Sequence, residues 1–138
     1  MDLINGSNYV DKAEAAIVGL IEDAKQAQIR QRREPNRYRI LTTTQLRKQL
    51  SMTSELFAQA ERELSSTLSQ EVQDSIEYLR VQFVYQAGRE DLVKRFVEKT
   101  GVLDILKDIK GSRESFLTYC RYMEALVAFH RYYGGKDS

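Results

Sequence analysis

The side chains able to do chemistry in this chain are few, and their spacing is poor for catalysis. His130 is the single histidine and Cys120 the single cysteine. A metal site needs several ligands converging on one point. Glu124, the acid nearest before His130, falls on a different face of any helix the two share. Cys120 stands among apolar residues, where a thiol stays protonated and inert. Glu61, Glu63, Glu71, Asp74 and Glu77 form an acidic stretch with Arg62 as its one base. A two-metal nuclease draws on such carboxylates, but it needs them convergent from several elements. Asp74 and Glu77 have the ordinary spacing of a solvated helix face. Gly88-Arg89 has neither the preceding strand nor the GxxxxGK pattern of a phosphate loop. No catalytic residue, no metal and no cofactor is expected.

The basic residues are better placed to bind than to react. Arginine suits phosphate because its planar fork donates two hydrogen bonds at once and keeps its charge. Arg30, Arg32, Arg33, Arg37 and Arg39 crowd one segment, RQRREPNRYR, with Tyr38 as a ring on which a base can stack. Arg47 and Lys48 follow closely. Arg80, Arg89, Lys94, Arg95, Arg121 and Arg131 are spread over the later chain. Basic residues interleaved with an aromatic suit sequence-tolerant contact with a nucleic-acid backbone. The same charges also decorate ordinary helix surfaces, and Arg121 has Glu124 three positions on as a partner. Charge pattern alone leaves two readings open, nucleic-acid binding and protein–protein scaffolding.

The elements that must carry these residues read as helices. Val10, Ala13, Ile17, Leu20, Ile21 and Ala24 recur with a 3.6-residue period, behind Ser7 or Asn8 as cap. The pattern dissolves in the basic segment, where Pro35 removes a backbone donor and disfavours helix at Glu34. A basic loop over about 30–40 is expected. Thr42 and Gln45 have the spacing of a capping box. Leu46, Leu50, Thr53, Phe57, Ala60 and Leu64 mark the inner face of a second helix. After a polar break at Ser65 to Ser69, Val72, Ile76, Leu79 and Phe83 form one stripe of a third helix. Tyr78, Val81 and Tyr85 form a second stripe, which predicts burial on two sides. Gly88 is placed for a left-handed cap. A shorter helix with Leu92, Val93, Phe96 and Val97 stops near Thr100-Gly101, and Val102 to Ile109 add a brief apolar turn or two.

The last helix runs from the cap Ser112 towards Gly134-Gly135 and Asp137. One stripe holds Phe116, Cys120, Met123, Val127 and His130, and the other holds Tyr119, Tyr122, Leu126, Phe129 and Tyr133. So wide an apolar arc belongs in the middle of a bundle. Its remaining face carries Arg121, Glu124 and Arg131. His130 reads as a packed helix-end side chain, and core spacing gives Tyr78, Tyr85, Tyr119 and Tyr122 packed roles. The expected fold is all-α, a compact single-domain bundle over 1–138 of about five to six helices, with a long, largely buried C-terminal helix.

Length and composition agree. A chain of 138 residues buries roughly two-thirds of the surface its unfolded form exposes and sustains a core without staples. One cysteine allows no intrachain disulfide. MDLINGSNY has neither the basic nor the apolar region of a secretory leader. No apolar run approaches the ~20 residues of a membrane span. A cytoplasmic location is expected. The net charge of +1 conceals the basic segment and the acidic one.

Several segments in this order, YVDKAE at Tyr9 to Glu14, LTTTQLRKQL at Leu41 to Leu50, FVYQAGRE at Phe83 to Glu90 and RYMEALVAFHRYYGGKD at Arg121 to Asp137, resemble one family. It is the small helical subunit of the type III-A CRISPR (Csm) effector complex. The resemblance implies a non-catalytic, RNA-binding scaffold subunit acting in antiviral defence. Copies of it stack head to tail into the minor filament, beside the repeated backbone subunit that holds the guide and in contact with the large subunit. The filaments enclose the guide RNA–target RNA duplex, with basic residues facing phosphate. Cleavage is then the work of the other subunits. On this reading Arg47, Lys48, Arg80, Arg89, Arg121 and Arg131 are the expected phosphate contacts, with Arg37 and Arg39 next. The competing reading is a helical adaptor with only protein partners.

Overall fold

The computed structural model describes residues 3–34 and 37–136. Pro35, placed above in the linker, and Asp137, placed above at the chain's end, lie outside them. Six helices follow in order: α1 (Tyr9–Arg30), α2 (Thr43–Arg62), α3 (Gln70–Arg89), α4 (Asp91–Thr100), α5 (Val102–Asp108) and α6 (Arg113–Tyr132). The described residues contain no strand beyond one isolated bridge between Thr67 and Ser112. The fold is all-α as expected.

α6 is the central element, with α1 and α2 packed along it and the short α5 beside it. Phe116, Tyr119, Met123, Leu126 and His130 are wholly buried there. Val127, Phe129 and Tyr133 are half-buried against the same core. Ser112 caps α6, accepting from the Ser115 N–H at 3.1 Å. α1 offers Ala13, Ala16, Ile17, Leu20, Ile21 and Ala24 as its buried face. Its alanines leave room for large side chains across the contact. Val10 shares the face but stays 45% exposed in the first turn. Periodicity fixes direction around a helix; burial also needs a neighbour at that height.

The capping box of α2 forms as predicted. Thr42 Oγ1 accepts from the Gln45 N–H at 3.1 Å, and Gln45 Oε1 accepts from the Thr42 N–H at 2.8 Å. The inner face of α2 differs from expectation. It consists of Thr43, Leu46, Gln49, Thr53, Leu56 and Ala60. Leu50 and Phe57 are half-buried, and Leu64 is fully exposed beyond the helix end. The face is turned so that Gln49 and Leu56 are buried in place of Leu50 and Phe57, while Thr53 stays buried with its hydroxyl 3.3 Å from the Tyr119 hydroxyl.

α3 departs most from expectation. Val72, Ile76, Leu79 and Phe83 are buried against α2, α4 and α5. Tyr78, Val81, Val84 and Tyr85 stand 56–60% exposed. The helix is buried on one side, so packed roles hold for Tyr119 and Tyr122 and fail for Tyr78 and Tyr85. Gly88 is also not a left-handed cap. α3 continues to Arg89 and ends through extended backbone at Glu90, with φ −130° and ψ 113°. The left-handed glycine is Gly101, φ 71°, between α4 and α5. There the Tyr122 hydroxyl donates to the Thr100 carbonyl at 2.7 Å and fastens that corner to α6. No helix among the described residues is long and apolar enough to cross a membrane.

Candidate nucleic-acid interface

No group of three or more His, Cys, Asp or Glu among the described residues is placed to hold a metal ion. Three carboxylates of the acidic segment bond locally. Glu63 accepts from the Ser69 N–H at 2.7 Å and the Ser69 hydroxyl at 2.6 Å. These bonds hold its carboxyl below the ordinary value of 4.5. Asp74 accepts from Gln70 at 2.8 Å, and Glu77 pairs with Arg80 at 2.7 Å. Cys120 is buried, which pushes its thiol well up and leaves it inert.

The predicted contact residues are all exposed except Arg80, but they do not share one face. Arg47 and Lys48 stand on the first turns of α2, adjacent and outward. Arg121 and Arg131 lie on the outer face of α6. Arg121 forms no ion pair with Glu124, contrary to the local pairing considered above. Arg80 and Arg89 are nine positions apart on α3, which at about 100° per residue places them on opposite sides. Arg80 is half-buried and tied to Glu77 beside Val84 and Leu103. Arg89 lies over the exposed Tyr85 ring, 5.5 Å from its centroid. Arg37 and Arg39 come together on the linker. Arg37 has Glu34 at 3.9 Å, both in solvent, a pair worth little. Arg39, Arg47, Lys48 and Arg121 have no carboxylate within 4 Å among the described residues.

The linker is fixed rather than draped. His130 is 0% exposed, and its Nε2 lies 2.8 Å from the Leu41 carbonyl. A carbonyl only accepts, so Nε2–H donates. The other ring nitrogen, Nδ1, is buried with no partner. The Thr43 N–H donates to the Lys136 carbonyl at 2.8 Å, and the Gly135 N–H donates to the His130 carbonyl at 2.7 Å. Leu41 is itself wholly buried. The linker after Arg39 is thereby clamped to the C-terminal end of α6. Sequence reading placed His130 as a packed residue, and it is, but nothing in the spacing announced Leu41 as its partner.

Clefts flank the clamped linker on two sides. One, about 580 Å³, lies between α1, α4 and the linker, over Leu20, Ala24 and Leu92. Two of its four cations are matched: Lys99 pairs with Asp23 at 2.8 Å and Arg95 with Asp91 at 3.0 Å. The other, about 390 Å³, lies between the linker and the turn after α6.

Sequence comparison relates the chain to known proteins. The family model for Csm2 of type III-A matches residues 17–136. This chain belongs to the Csm2 family. A CRISPR system Cms protein Csm2 from Streptococcus thermophilus is 47% identical over 138 residues, covering 99% of this chain and 100% of that one. The protein of the same name from Mycobacterium tuberculosis (strain H37Rv) is 50% identical over 97 residues, 70% of this chain and 78% of its own. That from Enterococcus italicus is 43% identical over 96 residues, 67% and 68% of the two chains. The chain is thus CRISPR-associated, and the resemblance drawn from its four segments is correct.

Proposed function

We propose that this Csm2-family protein is a non-catalytic, RNA-binding scaffold subunit of the type III-A Csm complex in the cytoplasm. It folds as one domain, stacks with copies of itself into the minor filament, and lies against the backbone subunit and the large subunit. Its basic residues contact the phosphates of the guide RNA–target RNA duplex. Base pairing between guide and target reads sequence, and this subunit reads charge and shape, the division seen in other RNA-guided effectors.

The observation that supports the RNA contact is that, of the expected contacts, Arg39, Arg47, Lys48, Arg89 and Arg121 are exposed with no carboxylate within 4 Å among the described residues. A surface arginine kept only for solubility is readily matched by an acid at helical spacing, as Arg95 is by Asp91. The cations lie on separate elements, which favours contact with phosphates spread along a duplex. Each copy then binds weakly, and affinity comes from repetition along the filament.

The test is binding of a guide–target RNA duplex across a salt series. The sample is the assembled complex carrying either the native subunit or one with Arg47, Lys48, Arg121 and Arg131 changed to Ala. Each lost phosphate contact lowers the salt slope by about 0.9 units per copy. An unchanged slope in an intact complex overturns the RNA contact and favours the protein-only adaptor. One observation supports that second reading: the Tyr78, Val81, Val84 and Tyr85 stripe of α3 is apolar and exposed, as a protein-docking face is.

A further inference from the structure

The cleft between the linker and the turn after α6 is lined by cations, one tyrosine and two glycines. Arg37, Tyr38, Arg39, Ile40 and Thr42 form one wall; Gly134, Gly135 and Lys136 form the other. Three of these residues are cations, and none of the described lining residues is an acid. The larger cleft on the far side of the linker differs, since Asp23 and Glu98 stand among its bases.

Its shape is held by bonds that leave the Arg39 and Lys136 side chains without a carboxylate within 4 Å among the described residues, while Arg37 faces Glu34 at 3.9 Å in solvent. The His130 ring and the Lys136 carbonyl clamp the two walls through Leu41 and Thr43. Gly134 takes φ 93°, a left-handed backbone that a side chain resists. A Cβ on Gly135 would collide with the His130 ring. Two successive positions therefore put no side chain into the cleft, and the second must stay small for the histidine to reach Leu41. The volume, about 390 Å³, lies within the range of small-ligand sites, roughly 300–1,000 Å³.

We propose that this cleft binds one unpaired nucleotide, its phosphate held by Arg39 and Lys136 with Arg37 at the rim, and its base against Tyr38 and Ile40. A phosphate needs cations without competing carboxylates, and a base needs an aromatic or apolar face. The lining of the cleft supplies both. Lys25, outside the cleft lining, lies over one face of the Tyr38 ring at 5.5 Å from its centroid, which leaves the other face or the ring edge for the base. The assignment deepens the RNA reading above. It gives the subunit a hold on single-stranded RNA that is separate from the α2 and α6 cations proposed for the duplex.

The experiment uses the full chain with amide signals resolved by NMR. Uridine monophosphate and a short unstructured RNA oligonucleotide are titrated in turn, which separates a free nucleotide from a strand as the source. Both are expected to shift the amides of Thr42, Gly134, Gly135 and Lys136, the oligonucleotide at lower concentration. Tyr38→Ala should weaken the oligonucleotide by about tenfold to a hundredfold, the loss of one base–aromatic stack. Tyr38 packs partly against the core, so Lys136→Glu, at an exposed position, provides a variant that does not touch folding. It should abolish the mononucleotide shifts.

Absence of those amide shifts with both ligands overturns the cleft. So does unchanged oligonucleotide affinity in both variants. If duplex binding by the assembled complex persists through either result, the RNA reading stands and the cleft alone falls. Loss of duplex binding on changing Arg47, Lys48, Arg121 and Arg131, with amide shifts in the cleft intact, supports two separate sites.

Discussion

Replacing His130 by Leu tests whether the linker is held by the structure or merely rests on it. Leucine fills a similar volume in the apolar surroundings of α6, so the loss of packing is small. What disappears is the donor to the Leu41 carbonyl, 2.8 Å away. That carbonyl belongs to a wholly buried residue, so water does not readily replace the partner. Orphaning a buried acceptor costs about 1–3 kcal/mol. For a domain of this size each kcal/mol moves the midpoint by roughly 3–6 °C, so His130→Leu should lower Tm by about 3–18 °C. The effect should also be local. Thr43, whose N–H reaches the Lys136 carbonyl, should exchange its amide hydrogen faster, while Phe83 on α3 keeps its protection. His130→Gln returns a donor at similar reach and should recover part of the loss. Circular dichroism gives the midpoint and hydrogen exchange gives the location. A leucine variant as stable as the native chain, or one that leaves Thr43 exchange unchanged, refutes the clamp.

Burial pushes the Tyr122 hydroxyl up to about 12 while it donates to Thr100. A group raised in the folded state stabilises fully below its unfolded value near 10 and loses that contribution as pH rises through 12. Stability should therefore fall between those limits, and Tyr122→Phe should flatten the fall in an alkaline melting series. Glu63 behaves oppositely, because its carboxyl is held below 4.5 by Ser69. Its contribution is present above 4.5 and fades as pH falls further, so Glu63→Gln should remove part of the acid sensitivity of the midpoint. Thr42→Ala deletes one arm of the capping box and should cost about 1 kcal/mol by denaturant titration. Changing Tyr78 and Tyr85 to Ser should alter stability by no more than about 0.5 kcal/mol, because both are exposed. It should reduce association in sedimentation if that stripe docks another protein.

The sequence by itself determined the helices and the fold class, because periodicity and caps are local. Thr42 with Gln45, Ser69, Gly101 and Ser112 end or begin helices through bonds within a few residues, and those can be read from spacing. It also determined the family, through segments distributed along the whole chain. Which apolar stripe found a neighbour was a tertiary matter. Tyr78, Val81 and Tyr85 have the same period as Val72, Ile76 and Phe83, yet only the second set meets α2, α4 and α5. A period records direction around one helix and carries no information about what lies across from it. The cleft is tertiary for the same reason. Arg37 and Tyr38 could be singled out as a basic segment with a ring. Their union with Gly134, Gly135 and Lys136 depends on a hydrogen bond from His130 to Leu41, across 89 positions, and only the packed chain brings those positions together.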